Sequence, residues 1–132
     1  MIHKYNDGGR SKYFTDMRVG DCVTRSFCLG LDKDYLAMYE LINKIAKSKQ
    51  TYKISGFEFS DDSTAKDGVY PRIIRMVGKH FDLKFKRKNG IIKDLKGNKL
   101  AITKEHMTCI KNGNLLDTHD CSELEYYGYY EL

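Results

Sequence analysis

Gly20-Asp21-Cys22-Val23-Thr24-Arg25-Ser26-Phe27 is the stretch around which the rest of the chain is predicted to fold. Aspartate is a favoured residue in front of a helix, so Asp21 predicts a helix whose first N–H groups bond to its carboxylate. This helix is expected to run from Cys22 to Leu29, with Gly30 as its C-terminal stop. Unpaired N–H groups and the positive end of the helix dipole favour a thiolate at Cys22, which makes it a candidate nucleophile.

Length and composition limit the class of protein. A chain of 132 residues is long enough for one domain with a single packed core. An apolar fraction of 41% and an aromatic fraction of 12% indicate a folded globular protein, and a net charge of +5 permits acidic partners without requiring them. No stretch resembles a signal peptide or a membrane span, so we expect a cytoplasmic protein without membrane contact. The cysteines lack the dense spacing of a disulfide scaffold, which agrees with a reducing compartment: Cys22, Cys28, Cys109 and Cys121.

The first two thirds of the chain read as helical. We expect an irregular arm over residues 1–20 and a helical part over residues 21–79 of the single domain, 1–132. Asp34 is predicted to cap a second helix that continues to about Lys47 on an apolar stripe. Residues 48–67 show weak periodicity and are interpreted as a loop. A third helix is expected to open near Val69, with Pro71 in its first turn and Gly78 at its end.

From residue 81 the apolar period changes from helical to alternating, which predicts an antiparallel β part over residues 81–132. Asn89-Gly90 and Asn112-Gly113 are expected to form turns, because Asn-Gly suits two-residue hairpin loops. The predicted strands lie at 81–88, 91–93, 100–103, 106–111, 114–118 and 125–131. About three helices followed by an antiparallel sheet is an α+β pattern.

The hairpin at Asn112-Gly113 predicts where a base for Cys22 lies. If Lys111 pairs with Asn114, the numbers of paired residues sum to 225, and His106 stands opposite His119. Asp117 is then the diagonal neighbour of His106 on the same face, within reach of its imidazole. Asp120 falls on the opposite face and is the weaker candidate. Together these residues predict a cysteine–histidine–acid relay of the kind that activates a thiol for acyl transfer.

A cysteine at a helix start, followed by a histidine and an acid on adjacent strands, resembles the order found in the papain-like cysteine peptidase superfamily. Further motifs resemble, more closely, a group of small phage and bacterial proteins. The resemblance covers nearly the whole chain except residues 48–66. The segments that carry it are Asn6-Asp7-Gly8-Gly9-Arg10, Asp21-Cys22-Val23-Thr24-Arg25, Asp67-Gly68-Val69-Tyr70, His106-Met107-Thr108-Cys109-Ile110-Lys111-Asn112-Gly113, Asp117-Thr118-His119-Asp120 and Tyr127-Gly128-Tyr129.

The resemblance implies a papain-like fold and hydrolysis or transfer at a peptide or amide bond, without a cofactor or metal. It implies Cys22 as nucleophile, His106 as base and Asp117 as the orienting acid. It also makes the segment from Asn6 to Arg10 a site element, with Asp21 and Arg25 as further support. Papain-like enzymes place an oxyanion-binding glutamine before the cysteine, and this chain has none there. The backbone N–H of Cys22 with Asn6 is the donor pair expected instead.

Two alternatives stay open. A zinc site could recruit the cysteines with His106 and His119, but no Cys-x-x-Cys pair exists, and Cys22 and Cys28 diverge on their helix. The second alternative is a catalytically silent phage protein of the same fold that binds a host protein or nucleic acid in the host cytoplasm. The residues that would serve nucleic acid are basic and lie near the first strands of the β part: Lys84, Lys86, Arg87 and Lys88.

Overall fold

The computed structural model describes residues 1–15 and 20–132. These residues form four α-helices, eight strands and a 3-10 turn at Ile92–Asp94. The helices are α1 (Arg10–Tyr13), α2 (Cys22–Leu31), α3 (Tyr35–Ser48) and α4 (Pro71–His80). The strands are β1 (His3–Tyr5), β2 (Thr51–Ile54), β3 (Phe57–Ser60), β4 (Phe85–Ile91), β5 (Lys99–Thr103), β6 (Met107–Lys111), β7 (Asn114–Asp117) and β8 (Glu125–Glu131). The predicted α+β class is confirmed at this level.

Within the described part of the chain, six strands form one sheet in the order β1-β7-β6-β5-β8-β4. The predicted antiparallel pairing holds for β4 to β8. The sheet as a whole is mixed, however, because β1 lies parallel to β7. The arm predicted to be irregular over residues 1–20 therefore contributes an edge strand and the short helix α1, while its residues 16–19 lie outside the described residues.

The core lies between the helices and one face of this sheet. Alternation along β5 and β6 turns Leu100, Ile102, Met107 and Cys109 towards the helices, where they pack with Phe27. The opposite face carries a smaller cluster beneath the 3-10 turn and the segment before β8. Its members are Ile92, Leu95, Ala101, Ile110, Leu115, Cys121 and Tyr126. Burial on both faces explains the consecutive apolar residues Leu100-Ala101-Ile102 in β5 and Cys109-Ile110 in β6.

Two glycines predicted to end helices lie inside them. A Cβ on Gly30 would lie 2.6 Å from a methyl carbon of Leu100, and one on Gly78 would lie 2.8 Å from the ring of Tyr130. Glycine therefore lets both helices approach the sheet closely. Helix α2 continues to Leu31 and ends on Asp32 in a left-handed conformation. The predicted start of α3 is confirmed, since the Asp34 side chain accepts a hydrogen bond from the Ala37 N–H.

The region read as a loop over residues 48–67 contains a second, two-stranded sheet, β2–β3. Its turn, Ser55-Gly56, has positive φ angles of 52° and 82°, as a two-residue hairpin turn requires. Conversely, the turn predicted at Asn89-Gly90 is wrong. Strand β4 passes through it with a shift in register between Arg87 and Gly90. The strand predicted over 91–93 is replaced by the 3-10 turn.

Candidate active site

Cys22 and His106 line one cavity of about 420 Å³. Cys22 opens helix α2, and His106 directly precedes β6 at the open end of the β6–β7 hairpin. The turn that leads into β6 fixes the backbone of His106, because the N–H and hydroxyl of Thr103 both donate to its carbonyl, at 2.7 and 3.1 Å. The nucleophile and base predicted from the sequence therefore face the same space.

Asp117 completes the arrangement at the end of β7. The Nε2 atom of His106 lies 2.7 Å from Oδ2 of Asp117. The predicted pairing of the hairpin is observed, with Lys111 opposite Asn114 and Cys109 opposite Leu116. Because Nε2 binds Asp117, Nδ1 is the ring nitrogen available to exchange a proton with Cys22.

Helix α2 does not pack against the hairpin face that bears His106 and Asp117. The hairpin face turned towards the helices carries Met107, Cys109 and Leu116. By alternation, His106 and Asp117 belong to the opposite face. They reach the start of α2 because they lie at the open end of the hairpin, where the strands stop. The site is thus built from strand ends and not from a sheet face.

The carboxylate of Asp117 is buried, at 2% exposure, and is surrounded by donors. Its Oδ2 also accepts a hydrogen bond of 2.6 Å from the Thr108 hydroxyl. Its Oδ1 accepts one of 2.7 Å from the Thr118 N–H, and one of 3.3 Å from the Arg25 guanidinium. Burial opposes ionisation of this carboxyl, but the hydrogen bonds from His106 and Thr108 outweigh it and lower its pKa.

The pKa of His106 is shifted in the opposite direction, upwards. Burial favours the neutral ring, but the hydrogen bond to Asp117 and smaller contributions from Cys121 and Cys22 raise its pKa well above the ordinary value. The buried carboxylate beside the ring thus favours its imidazolium form.

Asp21 does not cap α2 as predicted, since its side chain makes no hydrogen bond to the first turn. Its fully buried carboxylate pairs instead with Arg25 one turn along the helix. It also accepts hydrogen bonds from Arg10, at 3.1 Å, and from the Tyr35 hydroxyl, at 2.8 Å. Arg25 reaches on to Asp117, so a buried chain of charges connects the start of α2 with the end of β7.

The segment from Asn6 to Arg10 supports this chain of charges. The Asn6 side-chain oxygen accepts a hydrogen bond of 2.9 Å from the Gly8 N–H, and the Asn6 backbone N–H donates to the Asp117 carbonyl at 3.0 Å. Asp7 accepts bonds from the Gly9 and Ser11 N–H groups, which starts α1 and brings Arg10 to Asp21. Asn6 is not among the described residues that line the cavity. The structure places the Asn6 backbone beside Asp117, and the role of Asn6 as an oxyanion donor stays a prediction.

The far wall of the cavity comes from a segment to which the sequence assigned no role. Residues between β3 and α4 line it, together with two residues of the first turn of α4 and one side chain from β8. They are Asp62, Asp67, Gly68, Val69, Tyr70, Pro71, Ile74 and Tyr127. Gly20 packs directly on this wall, because a Cβ there would lie 2.3 Å from the Asp67 carbonyl oxygen. The motif Asp67-Gly68-Val69-Tyr70 was the available signal for this wall.

The basic residues considered for nucleic acid lie on or beside β4, the last strand of the sheet. Lys86 pairs with Glu131 at 2.7 Å. Charged side chains on an edge strand prevent pairing with further strands. An exposed sheet edge thus accounts for Lys84, Lys86, Arg87 and Lys88 without a ligand.

No protein-family model, curated protein or solved structure matches this chain. Among residues 1–15 and 20–132, no helix has the length and apolarity needed to cross a membrane. The geometry of the site is therefore the basis for inferring a function.

Proposed function

We propose that the protein is a papain-like cysteine hydrolase or acyl transferase that acts on a peptide or other amide bond. Cys22 is the nucleophile, His106 the general base and acid, and Asp117 the residue that orients His106. The observation that carries the proposal is the shared cavity of Cys22 and His106, with the His106 ring bound to a buried carboxylate at 2.7 Å.

In the proposed reaction, the proton of the Cys22 thiol already resides on Nδ1 of His106, because the site favours the imidazolium, and the thiolate sulfur attacks the substrate carbonyl carbon. Backbone N–H groups in the first turn of α2 are the donors placed to hold the oxyanion. His106 then protonates the leaving amine, the C–N bond breaks, and a thioester to Cys22 remains. Water, or another acceptor, attacks the thioester after His106 takes its proton, the C–S bond breaks, and the thiolate of Cys22 beside the imidazolium is restored.

The charge arrangement supports this cycle. Asp117 stays ionised because every group that contacts its carboxylate donates a hydrogen bond to it. An ionised Asp117 holds Nε2 of His106 protonated and leaves Nδ1 for the thiol. The positive charge that His106 acquires on taking the proton is balanced by that carboxylate.

Alkylation of the four cysteines tests the proposal within one molecule. Cys22 is half-buried, whereas Cys28, Cys109 and Cys121 are at most 3% exposed. Burial raises the pKa of the Cys28 thiol to about 11 and that of Cys109 to about 12, so these thiols are slow internal references. Iodoacetamide at pH 6, followed by peptide mass spectrometry, should label Cys22 first and faster than free cysteine.

His106→Ala should reduce the labelling of Cys22 to the rate of a free thiol or below it. A panel of amide substrates should be turned over by the wild type and not by Cys22→Ala. The proposal is wrong if Cys22 in the folded wild type reacts no faster than free cysteine and His106→Ala leaves that rate unchanged.

A further inference from the structure

Cys121 brings a second thiol to the Nε2 side of the His106 ring. Its Sγ lies 3.6 Å from Oδ2 of Asp117, the same oxygen that binds Nε2 of His106 at 2.7 Å. One ligand atom from each of these three residues lies within 4.8 Å of the other two. The residues come from the position before β6, the end of β7 and the segment between β7 and β8. Imidazole, carboxylate and thiolate are the ligands that zinc takes in proteins.

The spacing of these atoms suits a tetrahedral ion. With bonds of about 2.3 Å to sulfur and about 2.1 Å to oxygen and nitrogen, a tetrahedral zinc ion separates sulfur from oxygen by about 3.6 Å and nitrogen from oxygen by about 3.4 Å. The separation of Sγ in Cys121 from Oδ2 in Asp117 already has the first value. The second requires the His106 ring to withdraw by about 0.7 Å. The ring borders the cavity, which gives it room to move.

Zinc can enter this buried group without changing its net charge. Nε2 of His106 and the thiol of Cys121 each direct a proton at Oδ2 of the ionised Asp117. With His106 as imidazolium, the three side chains together carry no net charge. If both protons leave, one Zn²⁺ ion is balanced by a neutral imidazole, a thiolate and the carboxylate, and the sum is again zero. Burial penalises uncompensated charge, so it does not oppose this exchange.

The surroundings hold the carboxylate in place for a metal ion. The Thr108 hydroxyl donates to Oδ2 of Asp117 at 2.6 Å. A carboxylate oxygen has two lone pairs, so Thr108 can keep its bond while the lone pair now used by His106 binds the ion. Outer hydrogen bonds of this kind orient metal-binding carboxylates. The exposed ring of His119, 4.7 Å from that of His106, marks the solvent side from which an ion arrives.

We propose that His106, Asp117 and Cys121 form a zinc-binding site, with water as the fourth ligand, and that the bound ion switches off the chemistry of Cys22. The metal binding does not depend on the proposed function, whereas the inhibition rests on it. With Nε2 bound to Zn²⁺, His106 is a neutral ring that keeps its one remaining proton on Nδ1. Such a ring no longer balances a thiolate at Cys22, which takes a proton from solvent and becomes a poor nucleophile.

Cobalt(II), which occupies zinc sites and absorbs light, tests the binding on the full, metal-free chain. One equivalent of Co²⁺ should produce a thiolate-to-metal charge-transfer absorption and the visible bands of a tetrahedral site, and Zn²⁺ should displace it. Cys121→Ala should lose the charge-transfer absorption, and Cys121→Ser, which keeps the volume of the side chain, serves in its place if the alanine variant does not fold. Cys109→Ala, at another fully buried thiol, is the matched control and should keep the absorption.

Cys22→Ala should also keep the absorption, because Cys22 lies on the Nδ1 side of the ring. The proposal is overturned if the wild type shows no charge-transfer absorption or if folded Cys121→Ser shows that of the wild type. It is equally overturned if Cys22→Ala loses the absorption, since the ion would then lie between Cys22 and His106.

Labelling of Cys22 by iodoacetamide at pH 6 separates the metal site from the thiol chemistry. Excess Zn²⁺ should slow the labelling by about tenfold in the wild type and leave the rate of Cys121→Ser at its own metal-free value. An inert Cys22 in a chain that binds Co²⁺ refutes the thiol chemistry and keeps the metal site. A reactive Cys22 in a chain that binds no Co²⁺ does the reverse.

Discussion

Replacing Asp117 by asparagine removes one charge and changes almost no volume, so it isolates the role of the carboxylate. All four groups that contact the carboxylate at hydrogen-bonding distances of 2.6–3.3 Å donate to it: His106, Thr108, Thr118 N–H and Arg25. An asparagine has one accepting and one donating end. In either orientation its amide NH₂ meets groups that were donors, and the Thr118 hydroxyl and the Cys121 thiol, at 3.4 and 3.6 Å, are further donors at the two oxygens.

The NH₂ group has one orientation in which its neighbours can adapt. Neither the Thr118 N–H nor Arg25 can accept a hydrogen bond, whereas the Thr108 hydroxyl can rotate and the neutral His106 ring can present a lone pair at Nε2. The His106 proton then moves to Nδ1, the atom that must receive the Cys22 proton. Asp117→Asn is therefore expected to retain the ring but fix the wrong tautomer.

Two effects of Asp117→Asn can be estimated, the loss of unfolding free energy and the slowing of Cys22 alkylation. Removing one partner from a buried ion pair typically costs about 3–5 kcal/mol, and Asp117 is 2% exposed, so little solvent screening reduces this loss of unfolding free energy. At pH 6 only about 0.3% of a free cysteine is thiolate. Loss of the base should slow alkylation of Cys22 by about tenfold to a hundredfold, once the lower nucleophilicity of a stabilised thiolate is allowed for.

Urea denaturation measures the first quantity, and the rate of iodoacetamide labelling at Cys22 measures the second. Asp120→Asn is the control, since among the described residues the hydrogen bond shown for this exposed carboxylate comes from the Ser122 N–H, at 3.0 Å. If Asp117→Asn keeps both the wild-type labelling rate and the wild-type unfolding free energy, the carboxylate neither orients His106 nor anchors the network.

Two further predictions concern the same charges. Arg25→Met should lower the unfolding free energy by about 3–5 kcal/mol in urea denaturation, because it leaves Asp21 and Asp117 buried without their shared cation. Arg75→Met, at an exposed position over Phe85, should change the unfolding free energy little. Equal losses in the two variants would show that the ion pairs of Arg25 contribute nothing to stability. The folded pKa of Asp117 is lowered, so its stabilisation is present above the ordinary pKa of about 3.9 and is lost as the pH falls through the folded value. In thermal denaturation between pH 6 and pH 2, the difference in Tm between the wild type and Asp117→Asn should therefore narrow below about pH 4. A difference in Tm that stays constant would show that the ionised carboxylate is not the source of this stabilisation.

The sequence predicted the β6–β7 hairpin closely because its signals are local. Asn112 and Gly113 both adopt the positive φ angles of a two-residue turn, at 53° and 75°. This turn fixes the register, and the register brings His106, Asp117 and His119 together. A base and its acid could thus be found from one turn and the alternation of two strands.

Other features depend on distant partners, and the sequence reading missed them. Gly90 looks like part of a turn, but a Cβ there would lie 2.5 Å from the Tyr126 hydroxyl, so its role is close packing within β4. The pairing of β1 with β7 joins residues more than a hundred positions apart. The β2–β3 hairpin, by contrast, had a readable signal in Ser55-Gly56, flanked by alternating apolar residues.

Asp21 shows how a local rule can select the right residue for the wrong reason. An aspartate before a helix is usually a cap, but this one is fully buried and turns its carboxylate towards Arg25. Residues 21, 22 and 25 then act as one unit. The helix that carries the nucleophile also carries the cation that holds Asp117, and Asp21 supplies the countercharge that allows this cation to be buried. A shift of α2 would therefore move Cys22 together with Arg25, the cation that holds Asp117. Because Asp117 binds His106, this coupling keeps the position of Cys22 relative to His106.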